Sequence, residues 1–114
     1  MDNGFKVIFD QYGELLSAHE CAAEVKYTIG GVTKPLPGCG PLCVFDNEKD
    51  ARKFCIENLN EIYECEYKRY ECAEVWNGRT QVHIEYLHKG TVLADEVVLT
   101  RKMQRGAKWT MALR

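Results

Sequence analysis

Apolar and polar residues alternate along several stretches of the chain, and this period of two predicts β-strands. The predicted strands are residues 5–9, 14–20, 24–29, 42–45, 62–75, 81–86 and 91–101. In the sixth of these, Val82, Ile84 and Tyr86 are expected to face inward. Asn77-Gly78 is the strongest hairpin-turn dipeptide, because both residues tolerate positive φ. Short links join most of the strands, so we expect antiparallel pairing to dominate.

A different period marks the main predicted helix, which we place at residues 47–60. Its apolar positions fall on one stripe and comprise Ala51, Phe54, Cys55, Leu59 and Ile62. Asp46 or Asn47 would cap its first turn. The pattern therefore predicts an α+β fold, in which a single main helix packs on one face of a mainly antiparallel sheet of six or seven strands.

Residues 30–41 contain four of the nine glycines and all three prolines, a density that neither helix nor strand tolerates. We therefore predict a loop there, long enough to carry a function. Within it, Cys39 and Gly40 lie in Pro-Gly-Cys-Gly-Pro, where glycine on both sides would expose the thiol and permit close approach of a ligand. Our hypothesis for this loop is that Cys39 and Gly40 bind a ligand.

Composition limits the class of protein. Hydrophobic residues make up 46% and charged residues 28% of the 114 residues, which fits one globular domain and excludes a disordered chain. No apolar run is long enough to span a membrane. No secretory signal precedes the first predicted strand, so we expect the protein in the cytoplasm of its host cell.

Charge divides the chain into a body, residues 1–100, and a C-terminal arm, residues 101–114. All 17 acidic residues lie in the body, together with ten of the 15 basic residues, which gives the body a net charge of −7. The arm holds the other five basic residues and no acid. We therefore predict a single α+β domain followed by a basic arm.

The arm has two interpretations. Arg101, Lys102, Arg105, Lys108 and Trp109 would bind nucleic acid or an acidic protein through their charges and the indole ring. Alternatively, the arm packs on its own acidic body or frays at its end. We favour the second interpretation, because five charges with one Trp in the arm make a small electrostatic footprint.

Cysteine and histidine spacing favours no metal centre and no catalytic thiol. The six cysteines are expected to be thiols, mostly buried, in a reducing cell. Cys39 and Cys43 are the one pair at zinc-ligand spacing, and His83 with His88 forms only a partial second pair. A nucleophilic Cys39 would need a base within hydrogen-bonding reach, and no recognised histidine spacing supplies one.

Other catalytic motifs are missing from the sequence. Glu64 and Glu66 share a strand face and would suit acid–base chemistry or a cation, but a solvated strand face is the simpler interpretation. The chain has no phosphate-binding glycine loop, no His-Glu-x-x-His and no Gly-x-Ser-x-Gly. We therefore expect no catalytic residue, no cofactor and no metal ion.

Six short blocks of residues occur in a distinctive order. They are Gly13-x-Leu15-x-Ser17-Ala18, Val25-x-Tyr27-x-x-Gly30, Gly40-Pro41-Leu42-x-Val44-Phe45, Asp50-Ala51-x-x-Phe54, Ile62-Tyr63-Glu64-Cys65-Glu66 and Ala94-Asp95-Glu96-Val97-x-Leu99. This order resembles that of a group of small uncharacterised phage and prophage proteins. The resemblance covers residues 13–100 and implies a shared fold and origin, without an activity.

A weaker similarity is to the ADP-ribosyltransferase-like fold, whose strands and helix surround a nicotinamide cleft. Enzymes of that fold carry a His or Arg on the first strand, a Ser or Tyr later, and a Glu on a late strand. Ser17 and Glu85 would take the later roles, whereas residues 5–9 offer no His or Arg. The similarity therefore implies at most a degenerate or unusual member.

Three functional hypotheses follow. The first is a non-enzymatic phage or prophage module that binds or regulates a host or phage macromolecule through residues 30–41 and the arm. The alternative is a degenerate or unusual enzyme with a nucleotide-like ligand, which predicts a pocket beside residues 39–45. The third is a homodimer formed through an exposed strand edge, most easily that of the last strand.

Overall fold

The computed structural model describes residues 1–18, 25–56, 59–78 and 80–104. Its elements are β1 (Asp2–Gln11), β2 (Glu14–Ser17), β3 (Lys26–Tyr27), β4 (Val32–Thr33), β5 (Cys39–Gly40), β6 (Leu42–Phe45), α1 (Glu48–Phe54), β7 (Asn60–Arg69), β8 (Glu74–Asn77), β9 (Thr80–His83) and β10 (Thr91–Lys102). A short 3-10 helix, Ile84–Tyr86, lies between β9 and β10. The described part of the chain is therefore mostly β-structure with one α-helix, which agrees with the predicted α+β class.

Four of the strands close into a barrel. β1 pairs antiparallel with β6 at Phe5↔Phe45 and with β7 from Asp2↔Tyr67 to Phe9↔Asn60. β10 pairs antiparallel with β6 through its first residues and with β7 through the remainder. The cycle β1–β6–β10–β7 replaces the simple sheet that we expected, because β7 joins the two ends that an open sheet would leave apart.

Shorter strands extend and flank the barrel. β2 pairs with β1 and β3 pairs with β2, while β4 pairs with β10 at Val97↔Thr33 and Val98↔Val32. β5, β8 and β9 form a separate small sheet, in which Asn77↔Thr80 closes the predicted hairpin. The segment 30–41 is therefore not all loop. The edge of β10 is not exposed as the dimer hypothesis expected, because the strand has partners on both sides.

The helix begins where the sequence predicts and ends six residues early. The Asn47 side chain caps α1 by accepting a hydrogen bond from the Asp50 N–H at 2.8 Å. At the other end, the Asn60 carboxamide oxygen accepts from the Ile56 N–H at 2.8 Å. The Leu59 and Asn60 N–H groups then donate to the Ile56 carbonyl oxygen. These bonds turn the chain into β7, so the prediction of a helix to residue 60 was wrong.

The core lies on both faces of the barrel strands. One cluster draws on all four of these strands and on residues 25–27 next to them, and therefore fills the barrel; its fully buried members include Ile8, Val44, Val97 and Leu99. A second cluster lies on the opposite face, where Val7, Phe45 and Ile62 pack against Ala51 of α1. This second cluster holds the helix against the barrel and, at its margin, leads into the groove described next.

Candidate binding groove

A groove of about 760 Å³ lies beside the end of α1. One wall comes from residues 9–18 of the β1–β2 hairpin, the second from the end of α1 and the turn into β7, and the third from residues 82–88. This size falls in the range of about 300–1,000 Å³ that is usual for ligand clefts. No local sequence motif marks the groove, because three distant segments build it.

Aromatic contacts define the base of the groove. Phe54, on the last turn of α1, lies with its ring centroid 5.5 Å from that of the buried Phe45. On its other side it meets the His88 ring edge-on, with centroids 4.5 Å apart. The Thr91 hydroxyl and N–H both donate to the His88 carbonyl oxygen, which fixes this residue against the start of β10. These ring contacts therefore connect the groove to the second core cluster.

Three large apolar side chains border the groove and remain exposed. Ile56 and Leu59 are 57% and 56% exposed, and Tyr86 is 78% exposed. Tyr86 was predicted to face inward, but the 3-10 helix turns it outward. The His83 Nδ1 accepts a hydrogen bond from the Glu85 N–H and caps that helix, so the alternation of residues 81–86 does not continue as a strand. Apolar surface concentrated in one place is typical of a binding site.

The polar side chains of the groove carry no negative charge. Among the described residues that line it, Lys53 is cationic and none is acidic. A smaller cleft of about 180 Å³ continues past Lys53 and His88 to Lys89 and Asp50. The groove is therefore an apolar surface with a basic side on a body whose net charge is −7.

A buried lysine lies directly behind one wall of the groove. Lys6 is fully buried, and its Nζ donates to the Ser17 Oγ at 2.8 Å and to the Cys43 carbonyl oxygen at 2.6 Å. The same ammonium group lies 5.5 Å from the centre of the Tyr27 ring. Sequence analysis missed this residue because an alternating strand normally turns its charged positions to water. The sequence contained one indication that this strand face is buried, because Ile8, two positions later on the same face, is apolar.

Ser17 and Lys6 have the spacing of a nucleophile and its base, but the surrounding backbone does not suit catalysis. Acyl transfer at Ser17 needs nearby N–H donors for the oxyanion. The Ser17 N–H donates to the Val25 carbonyl oxygen at 3.3 Å, and the Ala18 N–H donates to the Val7 carbonyl oxygen at 3.2 Å. Both amides are used by the sheet, so we interpret the Lys6–Ser17 contact as structural.

The structure separates the residues that the sequence singled out. Cys39 is half-buried and Gly40 buried in β5, where they pair with Asn77 and Trp76 of the small sheet. Residues 42–45 are buried in the barrel, and neither the groove nor the smaller cleft beside it includes residues 39–45. Arg105, Lys108 and Trp109 lie outside the described residues.

The first basic residues of the arm belong to β10 and form ion pairs. Arg101 makes two hydrogen bonds to the Glu64 carboxylate, at 2.8 and 2.9 Å. Lys102 lies 3.7 Å from a Glu61 carboxylate oxygen. The guanidinium of Arg101 lowers the pKa of Glu64 through these hydrogen bonds. Glu64 is therefore held as a carboxylate beside a cation, which favours an ion-pairing role over acid–base chemistry.

The described cysteines are thiols, and solvent has little access to those in the core. Cys43 and Cys65 are buried, and burial raises the pKa of Cys65 to about 12, against the smaller opposing effect of Lys6. A thiol of such high pKa is a poor nucleophile and a poor metal ligand at neutral pH. Within the described ranges, no group of three or more His, Cys, Asp or Glu side chains is arranged to hold a metal ion.

Comparison with known proteins gives no relative from which a function could be transferred. No protein family, curated protein or solved structure matches this chain. None of the helices in the described part of the chain has the length and apolar character needed to cross a lipid bilayer. The functional argument therefore depends on the groove itself.

Proposed function

We propose that the protein is a non-enzymatic binding module of phage or prophage origin, which holds an apolar, acidic segment of a partner protein in the groove. The observation that carries the proposal is the combination of exposed apolar side chains and an exposed lysine in one groove. The proposal therefore places the binding site between α1 and residues 82–88, whereas the sequence analysis expected it at residues 30–41 and in the arm.

Burial of the groove's apolar border would supply the affinity. Covering apolar surface stabilises a complex by roughly 25 cal/mol for each Å² removed from water. Leu59 and Ile56 extend from the turn after α1, where their side chains are available to a ligand without rearrangement of the core. Because Phe54 and His88 are fixed by the barrel behind them, the base of the groove is already formed before binding.

Charge selects the kind of segment. Lys53 borders the groove and is exposed, and no carboxylate of the described residues lines it. A partner segment with acidic residues between its apolar ones would place negative charge near Lys53 and His88. A basic segment would meet the Lys53 ammonium group unfavourably, so the sign of charge in the partner gives specificity more than affinity.

Binding can be tested with synthetic peptides of alternating leucine and glutamate, titrated into the full chain and followed in amide NMR spectra. We expect shifts clustered at residues 53–60 and 84–88, and weaker binding by a leucine–lysine peptide of equal length. Leu59→Ser should weaken binding about tenfold, which corresponds to the loss of one well-buried apolar side chain. Lys53→Gln should weaken it less.

Matched controls lie elsewhere on the surface. Ile29 is 54% exposed and does not line the groove, so Ile29→Ser removes a similar apolar surface without affecting binding. Lys34 is exposed and outside the groove, and Lys34→Gln serves as the control for Lys53→Gln. Equal effects of Leu59→Ser and Ile29→Ser, or no shifts with the acidic peptide at millimolar concentration, would contradict the proposal.

A nucleotide-like ligand is the second candidate, and one observation favours it. Ser17, a residue that the ADP-ribosyltransferase-like similarity singled out, lines the groove, and Glu85 immediately precedes Tyr86 on the opposite wall. Aromatic rings and Lys53 would then hold the base and a phosphate. A thermal-shift series with NAD and other nucleotides at millimolar concentration tests this, and no shift across the series would exclude it.

A further inference from the structure

The strand β9 is an edge of the small sheet and also contributes to the groove. It pairs with β8 on one side, and no strand of the described chain pairs with it on the other. Val82 of this strand lines the groove, and so does Tyr86 just beyond it. One wall of the groove therefore includes a strand that has a side left for pairing with a further strand.

The direction of the backbone groups of β9 follows from a bond at its end. The Ile84 N–H, one residue beyond β9, donates to the Ala73 carbonyl oxygen at 2.7 Å and so points to the β8 side. The His83 carbonyl belongs to the same trans peptide and points the opposite way. Directions alternate along a strand, so Val82 faces β8, whereas the N–H and carbonyl groups of Gln81 and His83 face the outer side.

The side chains of β9 divide between two faces. Val82 is half-buried against a cluster that includes Val75, and it lines the groove. Gln81 and His83 are exposed. A segment added to this edge would place alternate side chains on the Val82 face, towards the groove, and the others on the exposed face. A segment in which apolar and acidic residues alternate fits this division.

The other edge strands have features that discourage pairing, and β9 lacks them. In the described part of the chain, β3, β4 and β5 also end a sheet. β3 contains the exposed Lys26, while β4 and β5 are two residues long and have the three prolines of the chain within two positions of them. Lysine, proline and short length all protect an edge from pairing. β9 has four residues and contains neither Lys nor Pro, so it is the edge best suited to accept a strand.

We infer that the partner segment binds as an extended strand, paired with the backbone of Gln81 and His83 on the outer edge of β9, with its apolar side chains in the groove. In this mode of recognition, main-chain hydrogen bonds contribute affinity and alternate side chains give specificity. The inference rests on the proposed function, because its ligand is the same apolar, acidic segment. It adds the conformation of that segment and a second set of contacts.

Backbone N-methylation of the leucine–glutamate peptide tests the pairing with the unmodified full chain. In an added strand only every second N–H group points at β9. Methylation of one alternate set should weaken binding about tenfold or more, and methylation of the other set should change it less than about twofold. Sensitivity of the glutamates indicates an antiparallel segment, and sensitivity of the leucines a parallel one. Equal effects of the two sets would overturn the inference.

Proline at an outward-facing position supplies a matched pair of variants. Gln81→Pro removes an N–H on the outer side of β9 and should weaken the peptide about tenfold, since the ring also obstructs an approaching strand. Lys26→Pro is the control on another edge. The Val25 carbonyl accepts from the Ser17 N–H, so the Lys26 N–H of the same peptide also points outward. Its affinity should be unchanged, and the methylated peptides decide the matter if Gln81→Pro does not fold.

Hydrogen exchange separates failure of this inference from failure of the proposed function. In the complex, the amide hydrogens of Gln81 and His83 should exchange about tenfold more slowly or less, while that of Val82 should change little. A peptide that binds without slowing these two amides overturns the strand pairing and leaves the proposed function intact. A peptide that does not bind overturns both. Slow exchange of both amides in the free chain that is lost on dilution would assign the edge to a second copy and also overturn the inference.

Discussion

The barrel interior and the groove use the same classes of side chain with opposite results. Ile8, Val44 and Leu99 in the barrel are completely buried, whereas Ile56 and Leu59 in the groove are more than half exposed. In the barrel, four strands pair in a cycle and leave no unpaired edge between them. In the groove, the helix ends before its apolar stripe does, and the remaining side chains have no described element to cover them.

This difference shows that an apolar side chain stabilises the fold only where neighbouring elements cover it, whatever its own hydrophobicity. Even the charged side chain of Lys6 is fully buried, because it lies on β1, one of the four barrel strands. Leu59, which immediately precedes β7, is 56% exposed, so its side chain is available for binding. Stability and function are therefore expected to separate between the two regions.

Two leucines test this separation directly, and we expect the largest effect here. Leu99→Ala should destabilise the protein by about 2–5 kcal/mol, because it leaves a cavity among fully buried neighbours. Leu59→Ala should cost no more than about 0.5 kcal/mol, as is usual for exposed positions. Urea denaturation followed by circular dichroism measures both. Similar losses of stability at the two sites would contradict the proposed division of roles.

A smaller effect is expected at Gly4 of β1, which lies tightly between β6 and β7. A Cβ atom at Gly4 would lie 2.6 Å from the Phe45 carbonyl oxygen and 2.8 Å from the Tyr67 ring, so Gly4→Ala should destabilise by about 1–3 kcal/mol. Gly31 is the matched control, because its added Cβ would meet Thr28 at an ordinary 3.5 Å. Gly31→Ala should leave the urea midpoint nearly unchanged, and an equal loss at both glycines would argue against tight closure.

Local sequence patterns were sufficient for elements whose bounds depend on neighbouring residues. The strand predicted at 42–45 matches β6, and the one predicted at 91–101 differs from β10 by one residue. The cap at Asn47 and the hairpin at Asn77-Gly78 were also predicted. In each case a short-range cause, such as a side-chain cap or a residue that tolerates positive φ, determines the structure.

Features that depend on distant residues could not be predicted in this way. The end of α1 depends on the Asn60 side chain. Its carboxamide oxygen accepts the hydrogen bond from the Ile56 N–H that a continuing helix would use within its own backbone. Barrel closure depends on β7 pairing with residues that are 25 to 65 positions away in the chain, from Ala94↔Arg69 to Asp2↔Tyr67. The groove depends on both the early end of α1 and barrel closure, because it lies where the shortened helix meets the barrel. Only the apolar stripe that continued past Phe54 indicated that uncovered surface would exist there.

The smallest expected effect concerns the ion pair of Glu64 and Arg101, whose side chains remain in contact with solvent. Arg101 lowers the pKa of Glu64 in the folded protein, so the ion pair stabilises the fold above the ordinary glutamate pKa. This contribution is lost as the pH falls through the lowered value, because Glu64 is then protonated in the folded state as well. Glu64→Gln should therefore lower the urea midpoint slightly at neutral pH and not in acid.

Glu66 supplies the control for this measurement, since it lies two residues along the same strand and is exposed. Glu66→Gln should leave the pH dependence of the urea midpoint unchanged relative to the unmodified chain. Exposed ion pairs are weak because water screens both charges. A large or pH-independent loss in Glu64→Gln would mean that the carboxylate supports β7 and β10 by some contact other than its charge. Stability on the outer surface of the barrel would then depend on more than burial and strand closure.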